Sequence, residues 1–317
     1  MNAATTDQNL SYATFEVLQY AVTQDGVDPA DSSHETLGLS KTDRDFAIKQ
    51  LIHKGLLRKT GRILRATAAA QSALEPYRVK RAVILAAGRG ERLRPETDTT
   101  PKPMVHVHSR RLIETQLDAL AAAGIRDITI VRGYKGELFD VLLETYPHIK
   151  FIDNPRWDST GEIISASLVI DYLAGAYLIE GDLYIRNPAV LRPYEYRSSW
   201  CGKPGATHND WYFSVDQKQK IHALAFGNTQ GQHDYTYVGI EYWAPPEARQ
   251  LKFDLQTVLQ TPANQQGFIE SIPFDPIYGT YNIYARRLLD GDVTEIDTHA
   301  ELLALRDREH REPAFRP

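Results

Sequence analysis

Apolar positions are spaced in two different ways along this chain, and the change falls just after Tyr77. Before it, Tyr12, Phe15, Val17, Leu18 and Val22 recur at mixed intervals of three and four. That is the spacing of a helix with one buried face, expected to start near Ser11. In the stretch beginning at Leu37, Ser40 is placed to cap a helix carrying Phe46, Ile48, Leu51 and Ile52, Gly55 is placed to end it, and a small hairpin follows. After Tyr77 the apolar runs become short and continuous. RAVILAAG from Arg81, DITIVRG from Asp127, IKFIDN from Ile149 and AYLIEGD from Ala176 read as buried strands. The segments RLIETQLDALAAAG, GELFDVLLETY and EIISASLVIDYLA read as helices between them. Strand and helix in alternation predict an α/β sheet, mixed but mostly parallel and flanked by helices. Beyond Trp211 the strands WYFSV, IHALAF and TYVGIEYWA alternate and carry aromatics, and a helix closes the chain around THAELLAL.

The helices and hairpin of the first quarter resemble a winged helix-turn-helix domain, with the helix beginning near Thr42 in the recognition position and the residues around Gly61 as the wing. The expected division is therefore 1–79 for this unit and 80–317 for the α/β unit, and 317 residues suit two separate cores. The basic run KGLLRKTGRILR could meet phosphate backbones, but Asp43 and Asp45 sit at the start of the helix that would enter a groove. A protein contact, including a homodimer, is favoured over DNA binding. A net charge of -5 gives the whole chain no general attraction to polyanions. Cys201 is the only cysteine, which excludes an intrachain disulfide and any multi-cysteine metal site and fits a reducing compartment. No apolar run is long enough to span a membrane and the N-terminus lacks a secretion pattern, so a cytoplasmic chain beginning near Met1 is expected.

The densest chemistry lies in LAAGRGERLRPETDTTPKP, residues 85–103. A strand running into Gly88 and Gly90 lets backbone N–H groups approach phosphate oxygens, because glycine has no Cβ in the way and accepts positive φ. Arg92 and Lys102 supply positive charge, and nucleotidyl transfer is achieved largely by positioning and neutralising phosphates. A dinucleotide fingerprint would need glycine where Leu93 stands, and a P-loop would need Gly-Lys-Ser or Gly-Lys-Thr; neither is present. Asp182 closes the strand AYLIEGD at the strand end where open α/β sheets bind ligands, and Asp297 lies far away in VTEID. Two such carboxylates meeting at phosphates would suit Mg²⁺.

The string L-A-A-G-x-G-x-R followed by P-K-P resembles the signature of the nucleotidyltransferase superfamily that activates sugar phosphates and phosphocholine. The resemblance implies a Rossmann-like sheet in which Leu85, Ala87 and Gly88 line base and ribose, Gly90, Arg92 and Lys102 face the triphosphate, and Asp182 and Asp297 hold Mg²⁺. Gly181 joins the nucleotide-binding set, and Lys102, Arg92 and Asp182 the catalytic one. From residue 81 to about 305 the chain is more similar to choline-phosphate cytidylyltransferases than to sugar-phosphate enzymes, on the fragments GYKGELFDVL, SASL, WYFSV to YVGIEYW and TEIDTHAEL. Where that family often carries a Tyr-Asn or Asn-Asn pair, this chain has Thr160, Gly161 and Glu162; Thr160 and Ser165 are kept as base or ribose contacts.

The implied reaction joins CTP and phosphocholine to give CDP-choline and pyrophosphate with Mg²⁺. Phosphoethanolamine, 2-aminoethylphosphonate and sugar 1-phosphates are alternative acceptors, and a winged-helix regulator that only senses a nucleotide is the non-enzymatic alternative. A quaternary ammonium binds aromatic faces by about 0.5 to 2 kcal/mol per ring. Trp211, Tyr237, Tyr242 and Tyr281 are the acceptor candidates, with Trp243 and Tyr278 nearby in sequence and Asp210, Glu241, Glu270 and Asp275 as accompanying carboxylates. No histidine pair has metal-ligand spacing and no G-x-S-x-G elbow occurs, so histidine metal sites and covalent catalysis have no support.

Overall fold

The computed structural model describes residues 10–30, 37–205, 210–227 and 234–311, which divide into two compact units. In the first, helix α1 (Tyr12–Thr23) is capped by Ser11, whose hydroxyl accepts from the Thr14 N–H at 3.3 Å. Helix α2 (Lys41–His53) is capped by Ser40, which accepts from the Asp43 N–H at 3.0 Å. Gly55 ends it at φ +69°, a conformation that costs glycine little. Strands β1 (Leu57–Thr60) and β2 (Ile63–Ala66) form an antiparallel hairpin that turns at Gly61, also at positive φ. Val27 bridges Leu64, and a short helix α3 (Ala68–Leu74) follows. Phe15, Leu18, Leu51, Leu64 and Leu74 share the core. Of the four apolar positions read on α2, Ile48 and Leu51 are buried, whereas Phe46 and Ile52 are 61% and 46% exposed.

This unit also takes in Tyr194–Tyr196, a return of the chain that a single linear boundary does not describe. The Tyr196 ring stacks on Tyr77 at 5.4 Å and tilts against Phe15 at 5.4 Å, and its hydroxyl donates to the Leu10 carbonyl at 3.0 Å.

The second unit opens with β3 (Arg81–Ala86), a small hairpin of β4 (His106–Val107) and β5 (Arg110–Arg111), and α4 (Leu112–Ala122). It continues through β6 (Asp127–Arg132), β7 (Lys150–Asp153), α5 (Glu162–Ser167), β8 (Ala176–Glu180) and β9 (Leu183–Ile185). Strands β10 (Ser199–Pro204), β11 (Trp211–Val215), β12 (Ile221–Phe226) and β13 (Tyr235–Trp243) precede α6 (Pro245–Val258), β14 (Tyr284–Arg287), β15 (Val293–Glu295) and α7 (His299–Arg311). Strands β8, β3, β6 and β7 lie parallel in that order, and β13 joins antiparallel beside β8 to extend a nine-stranded mixed sheet. Alternate residues of β3 feed opposite faces: Ala82, Ile84 and Ala86 enter one core, Val83 and Leu85 the other, which is why the strand reads as an unbroken apolar run.

Strand β3 has later strands on both sides, so the crevice at its carboxyl end, between β3 and β8, is the topological switch point where open α/β sheets take ligands. Outside the sheet, β9 pairs antiparallel with β15, and the Ile296 N–H donates to the Asp182 carbonyl at 3.2 Å. That pairing draws the late VTEID segment to the end of β8.

Two expected helices differ. GELFDVLLETY forms a 3-10 run over Gly136–Glu144, because Gly136, Phe139 and Leu142 are buried at a strict spacing of three while Leu138, Val141 and Leu143 face outward. EIISASLVIDYLA yields only α5 and a 3-10 turn at Ile170–Tyr172. Cys201 is buried, and among the described residues no helix is long and apolar enough to cross a membrane.

Tyr196→Ala removes the ring that packs on Tyr77 and Phe15, and is expected to destabilise the N-terminal unit by about 2 kcal/mol, measured by urea unfolding.

Candidate active site

Two glycines at the ends of β3 and β8 cannot be replaced without displacing neighbours. Gly90 sits at φ +67°, and a Cβ there would lie 2.8 Å from the Lys102 Cβ. Its carbonyl accepts from the Thr97 hydroxyl at 2.9 Å, and Leu93, at the place a third fingerprint glycine would take, is fully buried. Gly181, between β8 and Asp182, donates its N–H to the Leu85 carbonyl at 2.9 Å, and a Cβ there would stand 2.8 Å from that same oxygen. The two strand ends are therefore held in backbone contact.

Between them opens a cleft of about 240 Å³. Leu85, Ala87, Gly88, Gly90, Lys102, Thr160, Ser165, Gly181 and Asp182, all singled out from the sequence, line it. Asn154, Trp157, Glu162 and Glu180 line it as well. Asn154 donates to the Ser165 hydroxyl at 3.0 Å, and Trp157 packs at 5.3 Å from the Tyr134 ring against Gly133, where a Cβ would lie 2.5 Å from the Trp157 Cβ.

Lys102 joins parts of the chain that are remote in sequence. Its ammonium donates to Asp182 Oδ2 at 2.8 Å and to Asp297 Oδ1 at 3.0 Å, and Arg92 donates to the same Asp297 oxygen at 2.7 Å. Burial lowers the lysine pKa, but the two aspartates outweigh it and hold the group above the ordinary lysine value. Asp297 is fixed from behind by Glu301, whose Oε2 accepts from the Asp297 and Thr298 N–H groups at 2.8 Å each, a capping box at the start of α7. The second oxygen of Asp182, Oδ1, is buried and has no hydrogen-bond partner. A buried carboxylate oxygen with no donor is costly unless a cation completes it, so Asp182 and Asp297 are chemically suited to a hard divalent ion.

Two further acidic groups surround this centre. Oxygens of Glu180, Asp182 and Glu295 lie within 4.8 Å of one another, as do those of Glu162, Glu180 and Glu270. Burial, then repulsion from Asp182 and Glu295, pushes Glu180 well above the usual carboxylate range; burial, then Glu270, does the same to Glu162. Burial raises Glu270 to about 7. Glu241 is raised by burial and by Glu270, although the Tyr237 hydroxyl at 3.0 Å and the Trp243 indole N–H at 2.7 Å both donate to it. Glu180 was detectable in the sequence as the one charged residue in the otherwise apolar strand AYLIE; Asn154 and Trp157 carried no signal.

The aromatic candidates are scattered. Tyr237 lies on β13 with its ring 5.4 Å from Trp200, on the face that carries Glu241 and Trp243. Tyr242 points to the opposite face, because successive strand residues alternate, and packs edge-on against Tyr177 at 5.8 Å. Tyr281 is buried with its hydroxyl on Asp254 at 2.5 Å. Trp211 lines a second cavity of about 450 Å³ together with Phe274, Asp275 and Tyr278. None of these four candidates lines the cleft at the glycine turn.

A glycine turn at the switch point of an α/β sheet, with a lysine and two aspartates converging on it, defines a nucleotide-handling enzyme of the group-transfer class. The profile of the Nucleotidyl transferase family matches residues 81–170. A 2-aminoethylphosphonate cytidylyltransferase of Lancefieldella rimae is 31% identical over 226 residues, 70% of this chain and 90% of that protein. A choline-phosphate cytidylyltransferase of Streptococcus pneumoniae is 33% identical over 54% of this chain and 73% of its own length. The solved structure of the CTP:phosphocholine cytidylyltransferase from Streptococcus pneumoniae covers 73% of this chain and 99% of its own, with a TM-score of 0.66 and 28% identity. The chain belongs to the nucleotidyltransferase family, and its relatives include cytidylyltransferases.

Gly90→Ala is expected to destabilise the fold by about 1 to 2 kcal/mol and to weaken nucleotide binding, since the new methyl group displaces the Lys102 stem; thermal melts and calorimetric titration measure the two effects.

Proposed function

We propose that this enzyme transfers a cytidylyl group from CTP to a small phosphate or phosphonate that bears an amine, with Mg²⁺ as cofactor. The observation that carries the reading is the meeting of Lys102, Asp182 and Asp297 at the glycine turn. Leu85, Ala87 and Gly88 face base and ribose in this reading, with Thr160 and Ser165 opposite, while Gly90, Arg92 and Lys102 face the triphosphate. Asp182 and Asp297 would hold the ion, which when bound neutralises phosphate oxygens. An oxygen of the acceptor attacks the α-phosphorus in line, a new P–O bond forms, and the bond to the departing pyrophosphate breaks. Lys102 and Arg92 offset the charge that builds on the leaving group.

The buried glutamates beside the cleft support an amine on the acceptor. Glu162, Glu180, Glu241 and Glu270 crowd together, and the hydrogen bonds that Glu241 accepts come from neutral groups. A cationic ligand relieves that repulsion, whereas a neutral hexose does not. Phosphocholine, the acceptor expected from the sequence, shares this chemistry with phosphoethanolamine and 2-aminoethylphosphonate; the relative from Lancefieldella rimae adds weight to the phosphonate. We read the N-terminal unit as a winged-helix module that contacts protein, since Phe46 and Ile52 stand exposed on α2 beside Asp43 and Asp45.

Incubation with Mg²⁺, each nucleoside triphosphate and a panel of amino-alcohol phosphates, aminoethylphosphonate and hexose phosphates, followed by mass analysis, tests the assignment. A CMP-linked amine product is expected; turnover with hexose phosphates alone rejects it. Asp182→Ala and Asp297→Ala are each expected to abolish metal-dependent pyrophosphate release, and a folded, fully active variant removes that residue from the site. Because protonating Glu270 weakens its pull on an ammonium, the acceptor KM should rise as pH falls through about 7, and Glu270→Gln should remove that step.

A further inference from the structure

Lys102 is asked to serve two partners. Its stem is held against Gly90 in the phosphate loop, yet its ammonium lies within hydrogen-bonding distance of both carboxylates assigned to the metal. An ion held by Asp182 and Asp297 would compete with the ammonium for the same carboxylates. Arg92 closes the same Asp297 oxygen from the other side, leaving Asp182 Oδ1 without a partner.

We propose that in the nucleotide-free enzyme Lys102 is a place-holder for the divalent ion, keeping Asp182 and Asp297 closed until a triphosphate draws the ammonium away, so that metal and nucleotide are admitted together. The inference rests on the assignment of the ion to these two aspartates. Without a cation at this point, Asp182 would face Glu180 and Glu295, with Asp297 sharing the same lysine, in a half-buried acidic pocket, which is unfavourable; the lysine offsets that penalty. A triphosphate offers the ammonium a stronger partner and frees the aspartates at the moment the ion has phosphate oxygens to bind. By linkage the coupling is reciprocal: each ligand raises the affinity for the other.

The probe is Mn²⁺, followed by the loss of its free-ion resonance signal on titration into the full chain without nucleotide. Wild type, Lys102→Arg, Lys102→Met and Lys102→Gln are compared, together with Lys102→Met combined with Asp182→Asn or with Asp297→Asn. Lys102→Met and Lys102→Gln should bind Mn²⁺ at least about tenfold more tightly than wild type, because a unit positive charge has left the site. Lys102→Arg should stay near wild type, and both asparagine combinations should lose the gain. Wild-type binding as tight as that of Lys102→Met overturns the place-holder, as does the absence of a gain in both neutral variants when thermal melts show them folded. A gain that survives both asparagine changes instead rejects the metal assignment beneath the proposal.

Discussion

Too many carboxylates for the cations available is the constraint on which the catalytic unit depends. Glu180, Asp182 and Glu295 share one small volume, Glu162 and Glu270 crowd it from the next, and Lys102 with Arg92 meets Asp297 at its edge. Carboxyl groups are held this close only by a rigid frame. Here that frame is the pairing of β3 with β8, of β8 with β13 and of β9 with β15. Burial and mutual repulsion push the Glu162, Glu180 and Glu295 carboxyls well above the usual carboxylate range.

Sterics set the second condition. Gly90 brings the loop after β3 against the Lys102 stem, and Gly181 brings the end of β8 against the Leu85 carbonyl, both at distances that a Cβ would not allow. The loop thus presents backbone to the cleft while the lysine stays close enough to reach Asp182. Neither glycine acts chemically. They decide how near the loop, the end of β8 and the charged groups can approach one another, and electrostatic contributions in a half-buried cleft depend steeply on such distances.

The N-terminal unit follows a different physical logic. Its core is closed by Phe15, Leu18, Leu51 and Leu74, and residues 194–196 return to complete it through the Tyr196 ring. Two of the four apolar side chains read on α2, Phe46 and Ile52, remain exposed, because one face of the helix meets the core and Ile48 and Leu51 occupy it.

Local physics made much of this protein legible in its sequence. The run from Leu85 to Pro103 announces a strand, a glycine turn and a fixed lysine, because strand burial, positive φ and the approach of backbone to phosphate are properties of neighbouring residues. The alternation of apolar runs gave the parallel strands, and Ser11, Ser40 and Gly55 marked helix ends through capping bonds a few residues long. Lys102 and Asp297, 195 residues apart, meet only because β15 pairs with β9, a contact that no local pattern specifies. The glutamate box was hidden for the same reason: Glu162, Glu180, Glu241 and Glu270 come from separate elements. The aromatic residues beyond Trp211 show the converse, since composition could suggest a cage, but strand alternation and side-chain packing decided that Tyr242 and Tyr281 face the core. Sequence determined which chemical groups were available and the local turns that carry them; tertiary pairing decided which of them share a volume, because energies of burial and charge depend on proximity in space.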